Sequence, residues 1–120
     1  MVRRILLVDD NEMILRVLMD SVVLYCEGCH VLLASDAKSA LEEVRRQPFD
    51  LILTDYWMPG MNGLELARAV REISPDTRIV VMTGLPSREL LEGSERVSLE
   101  GFILKPFRLT ELQDVLRSLE

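Results

Sequence analysis

Five short apolar runs, separated by stretches with helical periodicity, constrain the fold more than any other feature of the chain. Their letters are RILLV (4–8), HVLLA (30–34), DLILT (50–54), RIVVM (78–82) and GFILK (101–105). None of them alternates cleanly between polar and apolar residues. Continuous apolar character is typical of strands that are buried on both faces, as in a parallel sheet. We therefore predict five parallel strands at these positions.

Amphipathic helices are predicted between the strands, because apolar residues there recur every three or four positions. The recurring residues are Ile14, Leu18 and Val22 in the first helix, with Met13 and Val17 beside them, Ala37, Ala40, Leu41 and Val44 in the second, Leu64, Ala67, Val70 and Ile73 in the third, and Leu112, Val115, Leu116 and Leu119 in the last. The interval 87–98 is the weakest, since Gly93 inside it costs about 1 kcal/mol relative to alanine. We expect a short or mobile fourth helix there.

Residues at the expected helix ends agree with this assignment. Side chains that can accept a bond from a first-turn N–H group precede each helical pattern. They are Asn11, Asp36, Asn62, Ser87 and Thr110. Proline marks the stops, at Pro48 after the second helix and at Ser74–Pro75 after the third.

The element order is a strand followed by a helix, five times. Strand–helix–strand crossovers are right-handed, so the pattern predicts an α/β fold of the (βα)5 type. This is a doubly wound five-stranded parallel sheet with helices on both faces. The chain has 120 residues, a length that fits one domain, and we expect residues 1–120 to form it.

Charge and hydropathy exclude several classes of function. The formal net charge is −6 and no basic cluster is present, so we expect no direct binding to nucleic acid. No apolar run is long enough to span a bilayer or to form a signal-peptide core. We therefore expect a cytoplasmic protein that does not contact membranes, in which the two cysteines stay thiols.

The stretch YCEGCH, residues 25–30, contains a C-x-x-C-H pattern that also occurs at haem and redox sites. We interpret it as a helix that ends near Cys26, with Gly28 as a left-handed terminator and Cys29 leading into a strand. A zinc site built on Cys26, Cys29 and His30 lacks an obvious fourth ligand. A redox or haem role for the two cysteines remains an alternative.

Polar residues follow four of the predicted strands. They are Asp9 and Asp10 after the first, Asp55 after the third, Thr83 after the fourth and Lys105 at the end of the fifth. Ligands of such sheets bind outside the carboxyl ends of the strands. These five side chains are therefore predicted to form one site.

The residue types at this predicted site favour phosphoryl chemistry with a metal ion. The turn VDDNE after the first strand is acidic and lacks the glycines of a nucleotide-binding loop. Crowded carboxylates need a cation or a proton, and a hard cation such as Mg²⁺ suits oxygen ligands. A carboxylate, a metal, a lysine and a hydroxyl are the groups required to form and hold an acyl phosphate.

With these motifs in place, the whole chain resembles the response-regulator receiver domain of two-component signalling systems. The resemblance rests on Asp9–Asp10, LTDYWMPGMNG (53–63), VMTG (81–84) and LKPF (104–107). It implies a flavodoxin-like receiver fold with strand order 2-1-3-4-5. It also implies a signalling domain that catalyses only its own phosphorylation and dephosphorylation.

The resemblance assigns the phosphoacceptor and the metal ligands. Asp55 would take a phosphoryl group from a phosphohistidine on a sensor histidine kinase or a phosphotransfer protein of a phosphorelay. Mg²⁺, or Mn²⁺, would be held by Asp10, Asp55 and the backbone carbonyl of Trp57, with Asp9 acting mainly through a water. Lys105 would pair with the phosphoryl group.

The resemblance also implies a conformational switch. Thr83 would move toward the phosphoryl group and Phe102, where many relatives have tyrosine, would rotate inward behind it. Lys105–Pro106 would be a cis peptide bond. The face formed by helix 4, strand 5 and helix 5 would then bind a downstream effector or a second copy.

Residues around the site and before the last strand lead to two further expectations. Trp57 and Leu85 are apolar and flank the site, and we hypothesise that they hinder the attacking water and lengthen the life of the phosphoryl group. Ser98–Leu99 replaces a frequent Gly-Ala pair, which leaves the shape of helix 4 open. The main alternative function is a phosphorylation-independent interaction module with a vestigial site.

Overall fold

Strands and helices alternate along residues 3–97 and 99–118, the part of the chain that the computed structural model describes. The strands are β1 (Arg4–Val8), β2 (His30–Ala34), β3 (Leu51–Asp55), β4 (Arg78–Thr83) and β5 (Gly101–Leu104). The helices are α1 (Glu12–Tyr25), α2 (Ala37–Arg46), α3 (Gly63–Ile73), α4 (Arg88–Arg96) and α5 (Leu109–Arg117). The strands form one parallel sheet in the order β2-β1-β3-β4-β5. The predicted (βα)5 fold and its strand order are confirmed.

Helices cover both faces of the sheet, because successive side chains of a strand point to opposite sides. On one face Ile5, Leu7 and Leu53 pack against buried side chains of α1 and α5. On the other face Leu6 and Ile52 pack against α2, α3 and α4. The central strand β3 is buried along its whole length, which fixes the position of Asp55 at its end.

The two edge strands are less buried than the continuous apolar runs predicted. In β2 the side chains of Leu32 and Leu33 are exposed, and in β5 so are those of Phe102 and Leu104. The prediction of burial on both faces is wrong for these strands. The reason is their place at the edges of the sheet, which the strand order determines and a single strand sequence does not.

Four of the five predicted N-caps are confirmed. The side chains of Asn11, Asp36 and Asn62 accept backbone N–H bonds in the first turns of α1, α2 and α3. The Ser87 hydroxyl accepts a bond of 3.1 Å from the N–H of Leu90 in α4. Each cap satisfies a donor that the first turn of a helix leaves unpaired.

The prediction that Thr110 caps the last helix is wrong. Helix α5 begins at Leu109, two residues before the start that a cap at Thr110 implies, and its N-cap residue is Arg108, which makes no side-chain capping bond. Thr110 therefore lies inside the first turn. Capping preference identified the correct turn but not its first residue.

Helix α1 packs on the sheet with the predicted stripe of Ile14, Leu18 and Val22, but not with the apolar residues beside that stripe. Leu15, Leu18 and Val22 are buried, whereas Met13 and Val17 are exposed. The sequence offers more apolar residues than one face can bury, so periodicity alone did not decide which of them face solvent.

No helix of the described residues is both long enough and apolar enough to cross a membrane.

Helix α4 is short, as expected, and Gly93 has a packing role in it. A β-carbon at Gly93 would collide with the side chain of Leu64, which is fully buried in α3. The glycine therefore lets α4 approach α3 closely and is not simply a weak point of the helix. Ser98 and Leu119, which the sequence placed near helices, lie outside the described residues.

The segment YCEGCH forms the turn between α1 and β2. Cys26 is the C-cap of α1, and Gly28 lies two residues later with a φ of 81°. Gly28 thus has the left-handed conformation that was predicted, but in the turn and not at the helix terminus. The expectation of free thiols is not met, because a disulfide joins Cys26 to Cys29, whose Cα atoms lie 5.6 Å apart, a usual separation for that bond.

Candidate functional site

The carboxyl ends of the strands bring four of the predicted side chains together. Asp9 and Asp10 follow β1, and Lys105 follows β5. Asp55 and Thr83 are the last residues of β3 and β4, one position further into the strands than predicted. Asp9, Asp10, Asp55 and Lys105 line one open hollow of about 590 Å³, together with the first turn of α1.

Hydrogen bonds made by the residues on both sides of Asp55 hold its backbone in place. The next residue, Tyr56, donates its N–H to the carbonyl of Met82 in β4 over 2.8 Å. The buried Thr54 hydroxyl donates to the carbonyl of Asp55 over 3.0 Å. These bonds fix the backbone at the end of β3, so the carboxylate of Asp55 projects into the hollow from a rigid element.

Lys105 connects the two buried carboxylates. Its Nζ atom donates to Oδ1 of Asp55 over 2.9 Å and to Oδ2 of Asp9 over 3.3 Å. Its backbone N–H donates to the carbonyl of Thr83 over 2.8 Å, and the predicted cis bond between Lys105 and Pro106 is confirmed. One ammonium group therefore neutralises charge on residues from two neighbouring strands.

Asp9 is the most confined of the three carboxylates, with only 1% of its surface exposed. Burial raises the pKa of Asp9 above its ordinary value. The N–H of Asn11 donates to the carboxylate over 2.9 Å, and this bond lowers the pKa of Asp9. The negative charge of Asp55 raises the pKa further, whereas Lys105 lowers it. The result is a carboxylate whose charge the protein alone does not fully compensate.

The same two carboxylates, Asp55 and Asp9, also shift the pKa of Lys105. Burial by itself lowers the pKa of Lys105, but the hydrogen bond to Asp55 and the charges of Asp55 and Asp9 outweigh it. The pKa of Lys105 therefore stands above its ordinary value. The side chain remains a cation throughout the physiological range.

The carboxylates fit a hard divalent cation. Oxygen atoms from Asp9, Asp10 and Asp55 lie within 4.8 Å of one another, and Asp10 is exposed to solvent. All three donors are oxygens, the ligands that Mg²⁺ and Mn²⁺ prefer, and the open side leaves room for waters and a phosphate. Among the described residues this is the one group of three or more such side chains.

Among the remaining predicted residues, Thr83 belongs to β4, Phe102 belongs to β5 and Trp57 follows β3. The Thr83 hydroxyl donates to the carbonyl of Leu85 and accepts from its N–H, both over 3.3 Å. Phe102 is 37% exposed and so does not lie packed inside the protein. Trp57 has an exposed side chain that meets the ring of Tyr56 edge to face, with centroids 5.1 Å apart. Its carbonyl as a metal ligand stays a prediction.

Gly63 is a site residue to which sequence reasoning assigned no role. It is the first residue of α3, and a β-carbon there would lie 2.5 Å from the carbonyl oxygen of Asp55. Its N–H donates to the carbonyl of Tyr56 over 2.8 Å. Gly63 belongs to the motif LTDYWMPGMNG, but only the packing of α3 on β3 explains why a glycine is required there.

Residues 5–117 match the family described as response regulator receiver domain. The chain belongs to this family. The receiver fold, the order of its strands and its role as a signalling domain follow from that membership. The acidic pocket at the carboxyl ends of the strands is the place where receiver domains bind Mg²⁺.

Relatives and solved structures agree with this assignment. The chain is 38% identical over 110 residues to the response regulator receiver protein CpdR of Brucella abortus, covering 92% of this chain and 90% of that one. It is 33% identical over 124 residues to the two-component response regulator ORR1 of Oryza sativa, with coverage of 93% and 53%. The chain therefore spans nearly all of the first relative and about half of the second.

The fold is also similar to a solved CheY-like receiver domain protein from Methanospirillum hungatei. The two have a TM-score of 0.91 and 28% sequence identity, and the match covers 98% of this chain and 93% of the other. The similarity includes all five strand–helix units.

Proposed function

We propose that residues 1–120 form one phosphoacceptor domain of a cytoplasmic two-component system, in which Asp55 receives the phosphoryl group. The observation that carries this proposal is the placement of Asp55 between the Lys105 ammonium, at 2.9 Å, and the carboxylates of Asp9 and Asp10. A nucleophile, a fixed cation and a metal-binding oxygen cluster thus meet at one strand end. Phosphoryl transfer depends mainly on such positioning and charge compensation.

In the proposed reaction an oxygen of Asp55 attacks the phosphorus of a phosphohistidine on a sensor kinase or a phosphotransfer protein. The new P–O bond forms as the P–N bond breaks, and the imidazole nitrogen leaves with the bonding electron pair and takes a proton. Lys105 neutralises charge on the phosphoryl oxygens. Asp9, Asp10, Asp55 and the Trp57 carbonyl would hold Mg²⁺, or Mn²⁺, which supplies further charge neutralisation when bound. Beyond this self-modification we propose no enzyme activity.

The proposed switch starts at Thr83. Its hydroxyl would exchange its bonds with Leu85 for a bond to a phosphoryl oxygen. Phe102 is the register partner of Val81 and Leu104 is that of Thr83, so all four side chains lie on the same face of the sheet. The space vacated by Thr83 is therefore on the side from which Phe102 can turn inward.

The proposed output surface consists of α4, β5 and α5. It carries exposed apolar side chains at Leu91, Phe102, Leu104 and Leu109. Inward rotation of Phe102 would remove one of them and change the shape of the surface. A downstream effector or a second copy of the chain would bind there, and we propose no direct contact with nucleic acid or membrane.

The test is intact mass spectrometry after incubation with acetyl phosphate or with phosphoramidate, each with and without Mg²⁺. Phosphoramidate carries the P–N bond that a phosphohistidine donor also has. We expect a Mg²⁺-dependent gain of one phosphoryl group in the wild type and in the control Asp76→Asn, which removes an exposed carboxylate. Asp55→Asn should show none. A folded wild type that gains nothing would contradict the proposal and favour an interaction module that works without phosphate.

A further inference from the structure

The Cys26–Cys29 pair is a chemically reactive feature that the phosphoacceptor site does not use. Both side chains are half-buried and pack at the margin of the core under α1 and α5. Their Cα atoms lie 5.6 Å apart and a disulfide joins them. The separation of the two Cα atoms therefore lies within the range that a disulfide spans.

Backbone hydrogen bonds hold this turn independently of the sulfur atoms. The N–H of Cys26 donates to the carbonyl of Val22 over 2.8 Å, and the N–H of Cys29 donates to the carbonyl of Cys26 over 3.3 Å. His30 then enters β2 with an N–H bond of 2.7 Å to the carbonyl of Arg3. Because these bonds do not involve the side chains, the reduced pair would stay in the same place. Once one of the two cysteines has formed a mixed disulfide with a small molecule, the neighbouring thiolate attacks it faster than a thiol from a second molecule does.

Gly28 completes the turn that brings the cysteines together. Its φ of 81° lies in the left-handed region, and a β-carbon added there would meet no atom within 4 Å. Glycine is therefore required by the backbone conformation and not by lack of space. The cysteines themselves are only half-buried, and the residues between them, Glu27 and Gly28, are exposed, so this turn lies at the protein surface.

Metal or haem chemistry fits the segment less well. His30 is exposed, and the hollow beside it has a volume of about 120 Å³, below the 300–1,000 Å³ that ligand pockets usually have. Within residues 3–97 and 99–118, Cys26, Cys29 and His30 do not converge as a group of three ligands. The sulfur atoms face each other, which favours thiol–disulfide chemistry.

We propose that Cys26 and Cys29 form a reversible thiol–disulfide site that exchanges with low-molecular-weight disulfides such as oxidised glutathione. One cysteine thiolate attacks a glutathione sulfur, which forms a mixed disulfide and releases one glutathione thiolate. The second cysteine thiolate then attacks the protein sulfur of that mixed disulfide and releases the second glutathione thiolate. The protein loses two electrons and two protons, and one oxidised glutathione becomes two reduced ones.

The cysteine pair lies at the end of the domain opposite to Asp55. Cys29 precedes His30, which pairs with Arg4 at the start of β1, whereas Asp9 follows the end of that strand. A strand of this length separates the two ends by roughly 17 Å at about 3.3 Å per residue. Oxidation therefore ties the last turn of α1 to the start of β2 without touching the phosphoacceptor.

Alkylation and intact mass in glutathione buffers test the proposal. The folded protein is equilibrated at a series of ratios of reduced to oxidised glutathione, quenched with acid and alkylated under denaturing conditions. We expect two alkylated cysteines at the reducing end and none at the oxidising end, with a smooth transition that runs identically in both directions. Thiols that stay alkylatable at every ratio, or a disulfide that dithiothreitol does not reduce in the folded state, would overturn the proposal.

Single cysteine variants test the second exchange step. Cys29→Ser and Cys26→Ser can each form the mixed disulfide but cannot resolve it, so both should accumulate a glutathione adduct that the wild type does not keep. An adduct that persists equally in the wild type would contradict intramolecular exchange. The wild type provides a second measurement: hydrogen exchange at the backbone amides of Cys29 and His30 should be slower in the disulfide form than in the dithiol form.

Phosphorylation is measured in the same samples to separate the two sites. The rate of Asp55 modification by acetyl phosphate should be the same in the oxidised and reduced forms, because the cysteines lie at the far end of the sheet. A rate that depends on redox state would refute the independence of the sites and leave the exchange result standing. Failure of phosphorylation in both forms would count against the proposed function and not against the thiol–disulfide site.

Discussion

The ammonium nitrogen of Lys105 lies 2.9 Å from Oδ1 of Asp55, although 50 residues separate the two along the chain. The contact requires β3, β4 and β5 to lie side by side, because each residue stands at the carboxyl end of its own strand. It gives the proposed nucleophile a fixed positive partner before any phosphoryl group arrives. Preorganised charge of this kind is a large contribution to catalysis in buried sites.

Loss of this partner should slow phosphorylation without unfolding the protein. We expect Lys105→Met to reduce the rate of modification by acetyl phosphate by about 10²-fold, the size typical for removal of one preorganised donor. The matched control is Lys38→Met at the other lysine, which is exposed on α2. Initial rates from intact mass measure the effect, and equal rates for both variants would argue against a role of Lys105.

The raised pKa of Asp9 predicts a pH-dependent effect on stability. A carboxyl whose pKa is higher in the folded than in the unfolded state stabilises the fold only while it is protonated, so this contribution is lost as pH rises through the folded pKa. Asp9→Asn removes the charge, and its free energy of unfolding should exceed that of the wild type by about 1 kcal/mol at neutral pH. This difference in the free energy of unfolding should disappear as the pH falls toward the pKa of an aspartate in the unfolded chain, about 3.9.

Urea unfolding at a series of pH values measures this difference, with Asp76→Asn as a control that should follow the wild type. Addition of Mg²⁺ should reverse the order at neutral pH. A ligand at 100 times its Kd stabilises the folded state by about 2.7 kcal/mol, and Asp9→Asn should gain less than the wild type. Equal gains would show that Asp9 does not take part in metal binding.

Gly63→Ala should disturb the site by displacing the backbone of Asp55. The added methyl group would lie 2.5 Å from the carbonyl oxygen of Asp55, so the backbone at the end of β3 or the start of α3 has to move. We expect a loss of about 1–3 kcal/mol of stability from overpacking and slower phosphorylation of Asp55. Gly101→Ala is the control, since a β-carbon there meets no atom within 4 Å. Similar unfolding curves for the two variants would disprove the steric argument.

Gly93→Ala tests the contact between α4 and α3. Alanine should gain about 1 kcal/mol in helix propensity, but its methyl group would collide with the buried side chain of Leu64, and overpacking costs about 1–3 kcal/mol. We expect a net loss of stability in the wild-type background and a gain in a Leu64→Ala background. A double-mutant cycle from urea unfolding gives the coupling, and an absence of coupling would remove the packing role of Gly93.

The lifetime of the phosphoryl group should depend on Trp57 and Leu85. They stand two residues past Asp55 and Thr83, their side chains are 66% and 80% exposed, and as apolar groups they do not orient an attacking water. Replacing both with polar groups, Trp57→Asn and Leu85→Glu, should accelerate hydrolysis of the phosphorylated Asp55 by about tenfold, below the usual contribution of a positioned acid or base. Decay of the phosphorylated mass after removal of the donor provides the rate. Unchanged decay would reject the hypothesis, and Leu24→Gln on the exposed face of α1 is the control.

The positions of the strands and helices, most helix caps and the acidic residues of the site were predictable from the sequence alone, because they depend on residues that are close together in the chain. Apolar runs and helical periodicity placed all ten elements within the described residues, and Asn11, Asp36 and Asn62 were recognisable as caps. Asp9, Asp10 and Asp55 follow from the rule that sites lie at the carboxyl ends of parallel strands. Short-range chemistry and one topological rule were sufficient for these predictions.

Only the tertiary structure decided which neighbours these residues have. The exposure of Leu33 and Phe102 depends on edge positions in the sheet, and the need for glycine at Gly63 and Gly93 depends on the residues packed against them. The disulfide between Cys26 and Cys29 likewise depends on the path of the turn between α1 and β2. Burial and steric contact are properties of pairs of elements, so a single segment of sequence does not contain them.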